Sequence, residues 1–130
     1  MRFGVLAVVC AAALSLAGTA SARDHARVAG YCSPSGDVCY GVFQATTGAF
    51  RFKLTLAAKY FSRYRICVRP PGRAKSCKRF AVRKTGAGWG GTVIWQRNFA
   101  IKGPGIYRVA WWQSGRRLGP ALRVNLPAPA

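Results

Sequence analysis

From residue 50 to residue 56 the chain alternates between large apolar and polar side chains: Phe50, Phe52, Leu54 and Leu56 against Arg51, Lys53 and Thr55. Successive side chains of a β-strand point to opposite faces, so a period of two marks a strand with one dry face and one wet face. Residues 60–68 and 78–83 alternate in the same way and read as the two arms of a hairpin. Further strands are expected at 39–44, 92–96, 105–113 and 118–126, separated by turns that carry Gly or Pro. About seven short strands, with no helical period beyond residue 22, point to an all-β fold in which two antiparallel sheets form a sandwich. Residues 23–126 suit one such domain, because half that length would bury too little surface to be stable.

The first 22 residues have a different character. Arg2 precedes an apolar run over 3–17, and Ala20-Ser21-Ala22 supplies the small-x-small pattern that a signal peptidase accepts. The mature chain is therefore expected to start at Arg23. Cleavage after Ala20 and retention of the run as an uncleaved anchor are the alternatives, since about 20 apolar residues suffice to span a bilayer. Cys10 lies inside the run and follows Val8-Val9, without the Leu-x-Gly/Ala context of a lipoprotein signal. No transmembrane segment is expected after cleavage, and 127–130, Pro-Ala-Pro-Ala, reads as a disordered tail.

Of the 5 cysteines, Cys10 leaves with the signal. Cys32, Cys39, Cys67 and Cys77 remain and admit three connectivities. Local pairing, Cys32 with Cys39 and Cys67 with Cys77, is favoured because each pair flanks turn chemistry: Ser33-Pro34-Ser35-Gly36-Asp37 in one case, Pro70-Pro71-Gly72 in the other. Export to an oxidising compartment makes bridging the expected state, each bridge contributing on the order of 3 kcal/mol in the chain-entropy view. A four-thiolate zinc site would need closer Cys spacing and a reducing compartment.

The run Gly103-Pro104-Gly105-Ile106-Tyr107-Arg108-Val109-Ala110-Trp111 resembles the Gly-x-Tyr-x-(Val/Cys)-x-Trp stretch leading into the penultimate strand of immunoglobulin-like sandwiches. The resemblance implies that Tyr107 makes a corner whose hydroxyl caps the preceding loop, and that Val109 points into the core. The same run is similar to that of small exported copper-resistance proteins, but their Met- and His-rich metal motifs do not occur here. Nor does the Cys…Trp…Cys framework of antibody domains, since the cysteines are expected to pair locally.

Catalytic side chains are scarce. Asp24 and Asp37 are the only carboxylate side chains, and His25 is the only imidazole. Paired-carboxylate hydrolysis needs both aspartates together, and a Ser-His-Asp arrangement must borrow His25 without any nucleophile-elbow motif to hold its serine. No enzymatic activity and no resident cofactor are expected. One metal reading depends on cleavage after Ala22. A free amine on Arg23, the amides of Asp24 and His25, and the His25 imidazole would then offer the square-planar nitrogen set preferred by Cu(II) and Ni(II).

Against the two acidic residues stand 21 Lys and Arg, for a formal net charge of +19. If Cys67 faces Cys77, Tyr64 stands opposite Phe80 and Arg65 opposite Arg79. Tyr64, Ile66, Val68, Phe80 and Val82 then make the core side, while Arg63, Arg65, Arg69, Lys75, Arg79 and Arg83 surround the bridge on the other. Arg51 and Lys53 are expected to extend that basic face. Directly opposed like charges cost up to roughly 1 kcal/mol per pair, so relief must come from solution ions or an anionic partner. Trp89, in a Gly-rich loop at 85–91, and Trp112, beside Arg108, are candidate stacking residues; Trp95 and Trp111 belong to the core. Such a face suits anionic envelope polymers or lipid headgroups, and would hold nucleic acid only nonspecifically. The expectation is a secreted or envelope-held basic binding or structural module. An extracellular copper-binding protein and a cationic antimicrobial protein are its rivals.

Overall fold

The alternating run at 50–56 forms the central strand of a five-stranded sheet. A computed structural model describes residues 25–127; the expected signal segment, Arg23, Asp24 and residues 128–130 lie outside the described residues. In chain order the strands are β1 (His25–Cys32), β2 (Val38–Ala45), β3 (Phe50–Leu56), β4 (Arg63–Arg69), β5 (Ser76–Ala81), β6 (Arg83–Thr85), β7 (Gly88–Ile94), β8 (Gly105–Gln113), β9 (Arg116–Arg117) and β10 (Leu122–Leu126), with one helical turn, α1 (Trp95–Asn98). The first sheet has the order β1-β2-β3-β7-β6 and the second β10-β8-β4-β5, with β9 beside β8. Every pairing is antiparallel. The protein is thus an all-β sandwich of two antiparallel sheets.

The apolar phases of the strands meet between the sheets. Val42, Phe52 and Leu56 of the first sheet and Ile66, Tyr107 and Val109 of the second are fully buried. Aromatic side chains span the gap: Tyr40 stacks on Trp111 at 4.5 Å between centroids, and Trp95 meets Tyr107 edge-on at 5.5 Å. Burying each such side chain contributes about 1.5–3 kcal/mol, enough for a core of this size to hold two sheets together. Trp95 and Trp111 lie in the core, as expected from the sequence. Tyr107 also takes its expected position. Its hydroxyl donates to the Gly103 carbonyl at 2.6 Å and accepts from the Lys102 amide at 2.7 Å, which pins the loop before β8.

The strand count differs from the expected seven for local reasons. β1 carries His25-Ala26-Arg27-Val28-Ala29-Gly30, mostly small residues without a large apolar alternation, because it is an edge strand with a register shift between Arg27 and Ala29. The strand expected at 118–126 begins only after Gly119-Pro120, as β10, and the short β9 precedes that break. The strand expected at 92–96 starts earlier, at Gly88, and stops at Ile94, so Trp95 enters the core from a helical turn.

The Gly-rich stretch at 85–91 is therefore not a loop. Its glycines serve close approach: a methyl group on Gly90, whose φ is +149°, would stand 1.8 Å from the Leu54 carbonyl oxygen, and one on Gly91 would stand 2.5 Å from the Tyr64 hydroxyl. Only Gly86-Ala87 forms a turn. Trp89 sits half-buried in β7, packed against the core, with Lys59 and Lys84 over its ring at 5.3 and 6.0 Å.

Candidate functional site

Two disulfides, Cys32–Cys39 and Cys67–Cys77, join directly opposed residues of the β1–β2 and β4–β5 hairpins, in the local pairing read from the turns. The second bridge sets the register of the basic face. With Cys67 opposite Cys77, Tyr64 falls opposite Phe80 and Arg65 opposite Arg79. Tyr64, Ile66 and Val68 turn into the core, so Arg63, Arg65 and Arg69 turn outward, and all three are exposed.

Strand β8 widens this face on the other side of β4. Arg65 registers with Trp112, and Arg69 with Arg108; Arg108 in turn registers with Arg123 of β10. Two rows of outward side chains result. One reads Arg79-Arg65-Trp112, with Arg117 of β9 next in register; the other reads Arg69-Arg108-Arg123. Between them lie the Cys67–Cys77 bridge and Ala110. Lys75, in the loop before β5, reaches across with its ammonium over the Trp112 ring at 5.7 Å.

Trp112 is half-buried and on the opposite side of β8 from Trp111, beside Arg65 more than beside Arg108. At its end of the face, Arg63, Arg65, Arg79, Trp112 and the turn Gln113-Ser114-Gly115 border a depression of about 320 Å³. Tyr64, between Arg63 and Arg65 in β4, turns its ring into the core, and burial pushes this phenol up to about 12.

Three expected members of the face lie elsewhere. The backbone leaves the second sheet at Val82, whose side chain stays in the core and whose amide donates to the Ser62 carbonyl. Arg83 consequently starts β6 and pairs with Gly90 in the first sheet. Arg51 and Lys53 belong to β3, also in the first sheet, and so point away from the β4–β5 hairpin. Arg108 and Arg123 join the face instead. Their outward phase was readable from the alternation at 105–113 and 122–126, but their neighbours depend on which strands pair.

No known protein family, curated protein or solved structure matches this chain. The site is therefore read from its own geometry. Among the described residues Asp37 is the only carboxylate side chain, and it lies in the β1–β2 hairpin of the first sheet. No internal counter-ion among the described residues is thus available to the rows on the second sheet. Among the described residues no cluster of three or more His, Cys, Asp or Glu could hold a metal ion. His25 opens β1 opposite Ala45, while Arg23 and Asp24, the rest of the amino-terminal copper reading, lie outside the described residues. No described helix is long and apolar enough to cross a membrane.

Proposed function

We propose that this is a secreted, non-enzymatic immunoglobulin-like module that binds anionic cell-envelope material through the outer face of its second sheet. The strand order supports the immunoglobulin-like reading: β2-β3-β7-β6 packed on β10-β8-β4 corresponds to strands A-B-E-D against G-F-C, with β1 and β5 as added edge strands, one on each sheet. The loop-capping hydroxyl of Tyr107, in the strand that would be F, agrees with it. Two disulfides favour an extracellular place, where oxidised thiols persist.

One observation carries the binding reading: arginines stand opposite one another in register in two rows, Arg79 with Arg65 and Arg69 with Arg108 and Arg123. Like charges in register repel, and the described part of the chain offers no carboxylate on that sheet to offset them. A phosphate- or carboxylate-bearing polymer, or a surface of lipid headgroups, would supply the missing charge and convert the repulsion into binding.

The test is binding of the oxidised protein to purified envelope polymers, anionic liposomes and DNA across a salt titration. Replacing Arg63, Arg65 and Arg79 together by Gln should weaken binding at physiological salt by about tenfold or more. Replacing Lys53, Arg83 and Lys84 by Gln removes the same charge from the first sheet and should have a much smaller effect. Equal losses in the two triple variants would show that only net charge matters and would remove the face from consideration.

A further inference from the structure

We infer that the depression beside Trp112 is a subsite for a phosphate group carried on a polymer, and that Ser114 makes it selective. This rests on the reading of the basic face as an anion-binding surface and adds the chemical class of the anion.

Three arginines, Arg63, Arg65 and Arg79, border the depression. They come from two strands, with Arg65 opposite Arg79 and Arg63 two residues further along β4. One planar guanidinium fork satisfies both oxygens of a carboxylate. Three forks around one depression offer more donors than the two oxygens of a carboxylate can use, and suit a tetrahedral group with several charged oxygens, which is phosphate.

The fourth side of the depression is the turn between β8 and β9. Ser114 and Gly115, its two central residues, have φ of +47° and +75°, and Gln113 pairs with Arg116 across them. This is the two-residue hairpin loop whose twist matches the strands, and its first position favours Asn, Asp or Gly. Ser114 is the only non-glycine residue with positive φ among the described residues. Its hydroxyl oxygen accepts a hydrogen bond from Gln113 Nε2 at 2.7 Å, which leaves the hydroxyl proton to be donated. An aspartate would suit the turn better, but would place a carboxylate among the guanidiniums and fill the subsite from within. A serine keeps a neutral donor there. The less favoured turn residue is thereby explained by the anion it admits.

The second row explains the polymer. Arg69 lies four residues along β4 from Arg65, about 13 Å at the rise of an extended strand, which is too far for one phosphate to touch both rows. A chain bearing repeated phosphates can occupy the depression and reach Arg69, Arg108 and Arg123 at once, gaining affinity through effective concentration. A flat bilayer surface would meet the rim of the depression rather than its interior.

Binding is measured at physiological salt to linear polyphosphate, to polygalacturonate of matched charge, and to phosphatidylcholine vesicles with and without phosphatidylglycerol. Polyphosphate should bind about tenfold tighter than polygalacturonate, and Ser114→Asp should weaken it by about tenfold or more. Ser114→Asn should change it by less than about threefold, because it keeps both the turn and a neutral donor. Thr47→Asp, placing the same charge in a turn of the first sheet, should also have an effect below about threefold. Thermal melts should show Ser114→Asp at least as stable as the parent, so lost binding would not reflect unfolding. Equal binding of the two polymers, with Ser114→Asp no worse than Thr47→Asp, would overturn the phosphate subsite and leave the basic face standing. Failure of both polymers and the anionic vesicles to bind would overturn both readings. Preference for the anionic vesicles over both polymers would overturn the polymer in favour of a membrane surface.

Discussion

Tyr64 shows how one residue of the basic hairpin anchors it in the core. Its ring is buried against Gly91 and beside Phe80, while Arg63 and Arg65 on either side of it in β4 turn to the outer face. Burial raises its phenol from 10.0 to about 12, so the folded state holds this proton more tightly than the unfolded chain does. Stability from this group is therefore complete below pH 10 and is lost as pH rises through about 12. Chemical denaturation between those values should show stability falling with pH, and Tyr64→Phe should flatten that fall relative to the parent. Tyr40, raised to about 12 mainly by burial, keeps the remainder of the slope in the variant. The neighbouring glycines are equally exacting. Gly90→Ala would drive a methyl group into the Leu54 carbonyl and should cost about 3 kcal/mol or more, read as a lowered melting temperature. Nothing local in Gly88-Trp89-Gly90-Gly91 distinguishes a strand under another backbone from a flexible loop, which is why this stretch reads as a loop in the sequence.

At the scale of elements, β5 is the strand most dependent on its bridge. It is an edge strand, and of its six residues only Phe80 is even half-buried. What holds it is the ladder to β4, the contact of Phe80 with Tyr64 at 5.8 Å, and Cys67–Cys77. Opposing these is the repulsion of Arg79 by Arg65. Replacing Cys67 and Cys77 by Ser should lower stability by about 3 kcal/mol at low salt. The loss should shrink as salt screens the two guanidiniums. Hydrogen exchange read strand by strand should show β5 opening first; uniform opening of all strands would mean that the bridge does not confine its effect to this hairpin. The bridge was legible from Pro70-Pro71-Gly72, and with it the register of β4 and β5. The crossing at Val82 was not, because Val82 and Arg83 continue the same alternation while the backbone changes sheets.

For the whole molecule, +19 charges on 130 residues make the compact state self-repelling. Multivalent anions should stabilise it beyond what ionic strength alone does. At matched ionic strength, phosphate should raise the melting temperature by about 5 °C over chloride, the shift expected for roughly 1 kcal/mol in a domain of this size. The Arg63, Arg65 and Arg79 triple Gln variant should lose most of that difference, and should itself be more stable than the parent at low salt because the opposed pair is gone. A triple variant that melts lower at low salt would mean that these arginines hold the fold rather than wait for a ligand.

The alternation of residues pointed by itself to an all-β sandwich and to the dry faces of its strands, and the turns between neighbouring thiols favoured the local pairing of the cysteines. Those properties are local: a period of two, a turn between two thiols and a tyrosine four positions before a core tryptophan each act through near neighbours. Only the tertiary structure decided which basic residues share a surface. Arg51, Lys53 and Arg83 have the same outward phase as Arg65, and their separation from it depends on strand pairing between distant parts of the chain. Arg108, Arg123 and Ser114 join the face for the same reason, since β8 pairs with β4 across some forty residues of sequence, a long-range choice made by packing in the core rather than by any local pattern.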